Sequence, residues 1–129
     1  MTPDVLVIDD EAVVRDGIAL VLNAAGLSVA TANDGAAALA DPAWAHCRMA
    51  LCDLMLPDCS GLEVLRVLRE RRPDLPVVVM TGYIDAQSAS EAIAFGAAGF
   101  LPKPFDESEL LATVQNAIQA AAAARERRS

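Results

Sequence analysis

Asp9, Asp10, Asp53, Thr81 and Lys103 are the residues of this sequence whose types suit joint chemistry. Asp9 and Asp10 are adjacent and lead into Glu11. Asp53 and Thr81 each close an apolar run, and Lys103 follows another. In one cleft, carboxylates 4 Å apart repel by roughly 4 kcal/mol at an effective dielectric near 20. Such a cluster must raise its pKa values or recruit a cation. Oxygen donors with no histidine or cysteine beside them suit a hard ion, Mg2+ first and Mn2+ as a substitute. That ion keeps part of its water and binds alongside phosphate, which an ammonium group and a hydroxyl also bind. An aspartate can itself be the nucleophile and form an acyl phosphate, with the metal and Lys103 neutralising charge on the transferred group.

Each residue alone has a plainer reading. Asp10 suits the start of a helix, where the dipole favours acids. Asp53 could end a strand, Thr81 is a common turn residue, and Lys103 could be surface charge. Only their joint occurrence points to a site. His46 reads as solvent-facing, and Met55 and Met80 as packing residues. The cysteines, Cys47, Cys52 and Cys59, are odd in number and fit no zinc or redox spacing, so they read as reduced thiols.

The elements that must position the five residues follow from apolar patterning. Short apolar runs occur at Val5–Ile8, Leu27–Ala32, Met49–Cys52, Val77–Met80 and Gly99–Leu101, the first and fourth rich in β-branched residues as buried strands are. Between them lie helical patterns. Asp10 to Ala25 carries Val14, Ile18, Val21 and Leu22 on one stripe, with Arg15 and Asp16 facing away, and ends at Gly26. Alanines mark a short helix from Asp34 to about Ala40. Ser60 with Glu63, and Asp106 with Glu109, have capping-box spacing, and Asp85 can cap the helix that stops at Gly96. The run Ala120–Ala124 extends the last helix. Strand and helix thus alternate as (βα)5. This predicts an α/β fold: a doubly wound five-stranded parallel sheet, order 2-1-3-4-5, with helices on both faces. Ligands bind beyond the carboxyl ends of such strands, where Asp9, Asp10, Asp53, Thr81 and Lys103 fall.

Composition bounds the rest. The 129 residues amount to one domain, assigned to 1–122, with a basic tail or linker start at 123–129. Lys plus Arg number 10 against 18 Asp plus Glu, a net charge of −8, which argues against a nucleic-acid surface. No signal peptide and no run of membrane-spanning length is visible, so the expected location is the cytoplasm.

At this point the residues carry a resemblance. Val7-Ile8-Asp9-Asp10-Glu11, then Leu51-Cys52-Asp53-Leu54-Met55-Leu56-Pro57-Asp58 with Ser60-Gly61, then Val79-Met80-Thr81-Gly82, and last Gly96 to Phe105 through Phe100, Lys103 and Pro104, resemble the receiver domain of two-component response regulators. The likeness covers residues 4 to 119. It implies a chemotaxis-regulator-like fold and a non-enzymatic switch that assists its own phosphotransfer and slow dephosphorylation. Asp53 would accept the phosphoryl group from a sensor histidine kinase or histidine phosphotransfer protein. Asp9, Asp10, Asp53 and the backbone carbonyl of Met55 would hold Mg2+. Thr81 and Lys103 would contact the phosphoryl group, Phe100 would be the switch aromatic, and the Lys103–Pro104 bond would be cis. Without a hydroxyl to hold it outward, Phe100 is expected to be buried even in the unmodified protein. Met55 and Tyr83 stand where the family tunes phosphoryl lifetime, and Gly82 leaves the site open. The face of helix 4, strand 5 and helix 5 would change shape to control an effector, and could also carry a homodimer contact.

Two rivals weigh less. A haloacid-dehalogenase-type aspartate hydrolase puts its nucleophile first, in Asp-x-Asp, and its acid pair last, the reverse of the order here. A receiver-like module that works without phosphorylation usually lacks an acid or the lysine, and this sequence keeps them all.

Overall fold

The computed structural model describes residues 2–82 and 85–128. The apolar runs become β1 (Val5–Ile8), β2 (Val29–Ala32), β3 (Met49–Asp53), β4 (Val77–Thr81) and β5 (Gly99–Pro102). The helices are α1 (Ala12–Ala24), α2 (Gly35–Ala40), α3 (Gly61–Arg71), α4 (Ala86–Ala94) and α5 (Glu107–Arg128), with one 3-10 turn at Pro42–Ala45. All strand pairs are parallel, in the order β2-β1-β3-β4-β5.

Strand side chains alternate between faces, so each strand feeds two cores. Leu6, Ile8, Ala50, Cys52, Val77 and Val79 pack under Val64, Leu65 and Leu68 of α3 and Ala92 of α4. Val5, Val7, Met49, Leu51, Val78 and Met80 pack under Ile18 and Leu22 of α1 and Leu110, Val114 and Ile118 of α5. β1, β3 and β4 are buried throughout, whereas β2 and β5 are partly open edges. That difference is why the edge strands have the weaker apolar signal.

The helix ends show which capping patterns close. Asp34 accepts the Ala37 N–H and Asp85 the Ser88 N–H, each at 2.7 Å. The Asp106–Glu109 box closes both ways, at 2.8 and 3.4 Å. The Ser60–Glu63 box does not: Ser60 Oγ takes the Leu62 N–H at 3.2 Å, while Glu63 pairs with Arg66 one turn on. α1 starts at Ala12, later than Asp10, because Asp9 Oδ1 binds the Glu11 N–H at 2.9 Å and keeps that backbone extended. Gly26, at φ 88°, ends α1 in a left-handed conformation that only glycine adopts cheaply. α5 continues unbroken to Arg128, and Arg125 lies 3.7 Å from Asp74.

Candidate functional site

Register brings the five singled-out residues to one end of the sheet. Ile8 pairs with Cys52 and Asp53 with Met80, so Asp9, Asp53 and Thr81 emerge side by side from the central strands. Lys103 follows β5 and its N–H donates to the Thr81 carbonyl at 2.8 Å. Asp9 (0% exposed), Asp53 (4%) and Thr81 (3%) are the buried polar residues among those described, so the polar burial of this fold is concentrated here. Burying such groups is costly unless they are paired.

The pairing comes chiefly from Lys103. Its Nζ donates to Asp9 Oδ2 at 2.8 Å and Asp53 Oδ2 at 2.9 Å, and Glu11 Oε1 lies 3.3 Å away. Asp53 Oδ1 accepts the Met55 N–H at 3.0 Å. Asp10 stands exposed at the rim, yet Asp9, Asp10 and Asp53 each offer an oxygen within 4.8 Å of the others. An all-oxygen trio at that spacing fits a hard divalent ion.

Burial raises the Asp53 pKa; the Met55 N–H and Lys103 oppose this, and Asp9 adds to it. Burial would lower the Lys103 pKa, but the hydrogen bonds to Asp9 and Asp53 outweigh it and raise it above the ordinary lysine value. The asymmetry has a geometric cause: one ammonium faces several carboxylates, whereas Asp53 shares that ammonium with Asp9. Lys103 therefore holds its proton, and burial acts against the charged form of both partners.

Some expectations need correction. Met55, in the β3–α3 loop, is 77% exposed, so its side chain does not pack, while Met80 is buried as expected. Arg15 does not face away: its Nη1 donates to the Asp9 carbonyl at 3.0 Å. Phe100 is half-buried against the α3-side core, short of the full burial expected. Gly82 is exposed, and Tyr83 lies outside the described residues. The Lys103–Pro104 bond is cis. Glu11 follows the acid pair directly and lies beside Lys103, whereas Arg15 was missed as a site neighbour, because it stands six positions from Asp9 and no local pattern links the two. The cysteines are free thiols, Cys47 and Cys52 buried and Cys59 half-buried, and His46 is exposed.

Gly61 fixes the loop that carries Met55. Its N–H donates to the Leu54 carbonyl at 2.8 Å, and Met55 bridges to Ser60 in antiparallel fashion. A Cβ on Gly61 would stand 2.0 Å from the Asp53 carbonyl oxygen and 2.7 Å from Leu54 Cα. Both obstacles are backbone, so only glycine allows α3 to start this close to the end of β3.

A family model for the response regulator receiver domain matches residues 5–115. The chain belongs to that family. This receiver domain is 41% identical over 113 residues to the transcriptional regulatory protein FixJ of Azorhizobium caulinodans, covering 87% of the chain and 53% of FixJ. It is 38% identical over 114 residues to the DNA-binding transcriptional regulator NtrC of Escherichia coli K12, covering 88% of the chain and 24% of NtrC. The chain thus spans about half the length of one relative and a quarter of the other. Among solved structures, the receiver domain of NtrX from Brucella abortus superposes with a TM-score of 0.83 at 34% identity, covering 90% of this chain and 98% of that one. The Vibrio cholerae chemotaxis protein CheY4 gives 0.84 at 31%, covering 91% and 99%. Receiver domains are phosphorylation-activated switches of two-component systems that control an output, and they typically bind Mg2+ at an acidic pocket. The family implies a kinase partner and an output domain. Among the described residues no helix is long and apolar enough to cross a membrane.

Proposed function

We propose that Asp53 is the phosphoacceptor of this receiver domain, that Asp9, Asp10, Asp53 and the Met55 carbonyl hold its Mg2+, and that Thr81, Lys103 and Phe100 read the phosphoryl group out. The observation that carries this reading is the convergence of Asp53 and Asp9 on Lys103 Nζ at the carboxyl end of the sheet. Bound Mg2+ would supply charge neutralisation for phosphoryl oxygens.

Asp53 presents a carboxylate oxygen to phosphorus. A new O–P bond forms as the P–N bond of a donor phosphohistidine breaks, and the departing imidazole keeps the electron pair and takes a proton from solvent. Lys103, held charged by its carboxylate partners, can follow the new phosphoryl oxygens without moving its backbone, which is tied to Thr81. Phosphorylation replaces one negative charge with nearly two and adds acceptor oxygens. Thr81 would turn towards them, Phe100 would move from half-buried to buried, and the α4–β5–α5 face would shift to its active form. Residues 1–122 form the receiver unit in this reading, and 123–129 begin a tail or linker. The effector, a homodimer contact on the α4–β5–α5 face, slow self-dephosphorylation and a cytoplasmic location belong to the same proposal.

The test is incubation with acetyl phosphate and Mg2+ followed by intact mass. A single phosphoryl adduct in the parent that is absent from Asp53→Asn supports the assignment. A parent that gains no adduct, or an Asp53→Asn variant that still gains one, defeats it.

A further inference from the structure

The loop after Asp53 is fastened at a point remote from the carboxylate cluster. Asp58 turns its carboxylate onto the start of α2: Oδ1 accepts the Gly35 N–H and Oδ2 the Ala36 N–H, both at 2.9 Å. α2 already has its own cap in Asp34, which takes the Ala37 N–H. Asp58 therefore satisfies donors that Asp34 does not reach, and those amides hold the Asp58 carboxyl below its usual pKa range. The segments approach this closely because residue 35 is glycine. A Cβ there would lie 2.4 Å from Cys59 Sγ and 3.0 Å from Val64 Cγ2. The base of the same loop is closed by the Gly61 N–H on Leu54 and by the Met55–Ser60 bridge. Met55, whose N–H holds Asp53 Oδ1, thus stands on a loop pinned at its base and at Asp58.

We infer that Asp58 is a positioning residue for the metal site: by clamping the 54–60 loop to α2 it sets where the Met55 amide and carbonyl stand relative to Asp53. The inference rests on the proposed reading of Asp9, Asp10, Asp53 and Met55 as Mg2+ ligands. Loss of the clamp leaves the three carboxylates and the base of the loop in place and loosens only the far side of the loop that carries Met55. The effect falls on Mg2+ affinity, and saturating Mg2+ restores the capacity of Asp53. Groups that orient ligands cost about tenfold or more in metal affinity when removed, and about tenfold is the expectation here.

Calorimetric Mg2+ titration of the full chain tests this in the parent, Asp58→Ala, Asp58→Asn and Asp34→Ala, with thermal melts confirming that each is folded. Asp58→Ala is expected to bind Mg2+ about tenfold more weakly. Asp58→Asn keeps one acceptor and should fall between it and the parent. Asp34→Ala removes the cap of α2 but leaves the two Asp58 hydrogen bonds and should bind as the parent does. At saturating Mg2+, acetyl phosphate should load Asp58→Ala to the parental extent. Parental Mg2+ affinity in both Asp58 variants, or an equal loss in Asp34→Ala, overturns the inference and leaves the Asp53 assignment standing. A parent that neither binds Mg2+ nor takes a phosphoryl group overturns both.

Discussion

Lys103 Nζ stands 2.9 Å from Asp53 Oδ2, joining residues fifty positions apart in the sequence. The same ammonium reaches Asp9, and the two carboxylate side chains are only 6% and 0% exposed. Lys103 is thus the protein's own counter-charge for a buried acid pair.

Lys103→Met leaves both acids without that charge. Breaking a buried ion pair by removing one partner typically costs 3–5 kcal/mol, and the lower end, about 3 kcal/mol, is expected because the site opens to water at Asp10. Urea unfolding should show the loss without Mg2+ and a larger stabilisation by Mg2+ than in the parent. An unchanged midpoint without Mg2+ would contradict the role of Lys103 as counter-charge.

Gly61 and Gly17 should respond oppositely to alanine. At Gly61 the added Cβ meets immovable backbone, and Gly61→Ala is expected to cost about 3 kcal/mol. At Gly17, inside α1, nothing lies within 4 Å, so Gly17→Ala should gain about 0.5–1 kcal/mol from helix propensity and lost chain entropy. Denaturant midpoints of the two variants decide it, and equal shifts would show the contact at Gly61 to be irrelevant.

Phosphoryl lifetime should depend on Met55. Its exposed thioether cannot hold and orient an attacking water, whereas an amide at that place can. Phosphorylated parent should keep its adduct for minutes or longer, and Met55→Asn should shorten that by about tenfold, a modest share of what water-activating groups achieve. Following the adduct by intact mass checks both. Loss within seconds from the parent counts against the assignment.

Acid stability carries a sign that can be worked out. Backbone amides hold Asp58 and Asp85 below their ordinary pKa values. Each contributes stability that is fully present above the unfolded carboxylate value near 3.9 and is lost as pH falls through the lower folded value. Asp53 is raised by burial, so its protonation favours the folded state and opposes that loss. Urea midpoints measured from pH 7 down to 3 should fall below about pH 4. Asp85→Asn should start less stable at pH 7 and lose less on acidification. A parental acid slope in that variant would show the Asp85 cap to be energetically silent.

The alternation of strand and helix, the buried character of β1, β3 and β4, and the placement of Asp9, Asp53, Thr81 and Lys103 at strand ends were legible in the sequence. Each follows from local periodicity and from the direction of a parallel sheet. The resemblance extended that reading to the cis bond at Pro104. Other features depended on which distant segment each side chain meets. Asp10 falls outside α1 because Asp9 claims the Glu11 amide. Glu63 leaves its capping box for Arg66, Arg15 returns to the Asp9 carbonyl, and Met55 is thrust into solvent by a loop that closes on Gly61. Asp58 shows the division most clearly. As a loop carboxylate it had no local partner to betray a role, and only the packing of α2 against the β3–α3 loop supplies the two amides it binds. Sequence by itself determined which residues would share the end of the sheet, because pattern and spacing are properties of the chain alone. Tertiary structure decided which of them are buried, what neutralises them and what holds their loop, because those depend on contacts between segments that no single stretch encodes.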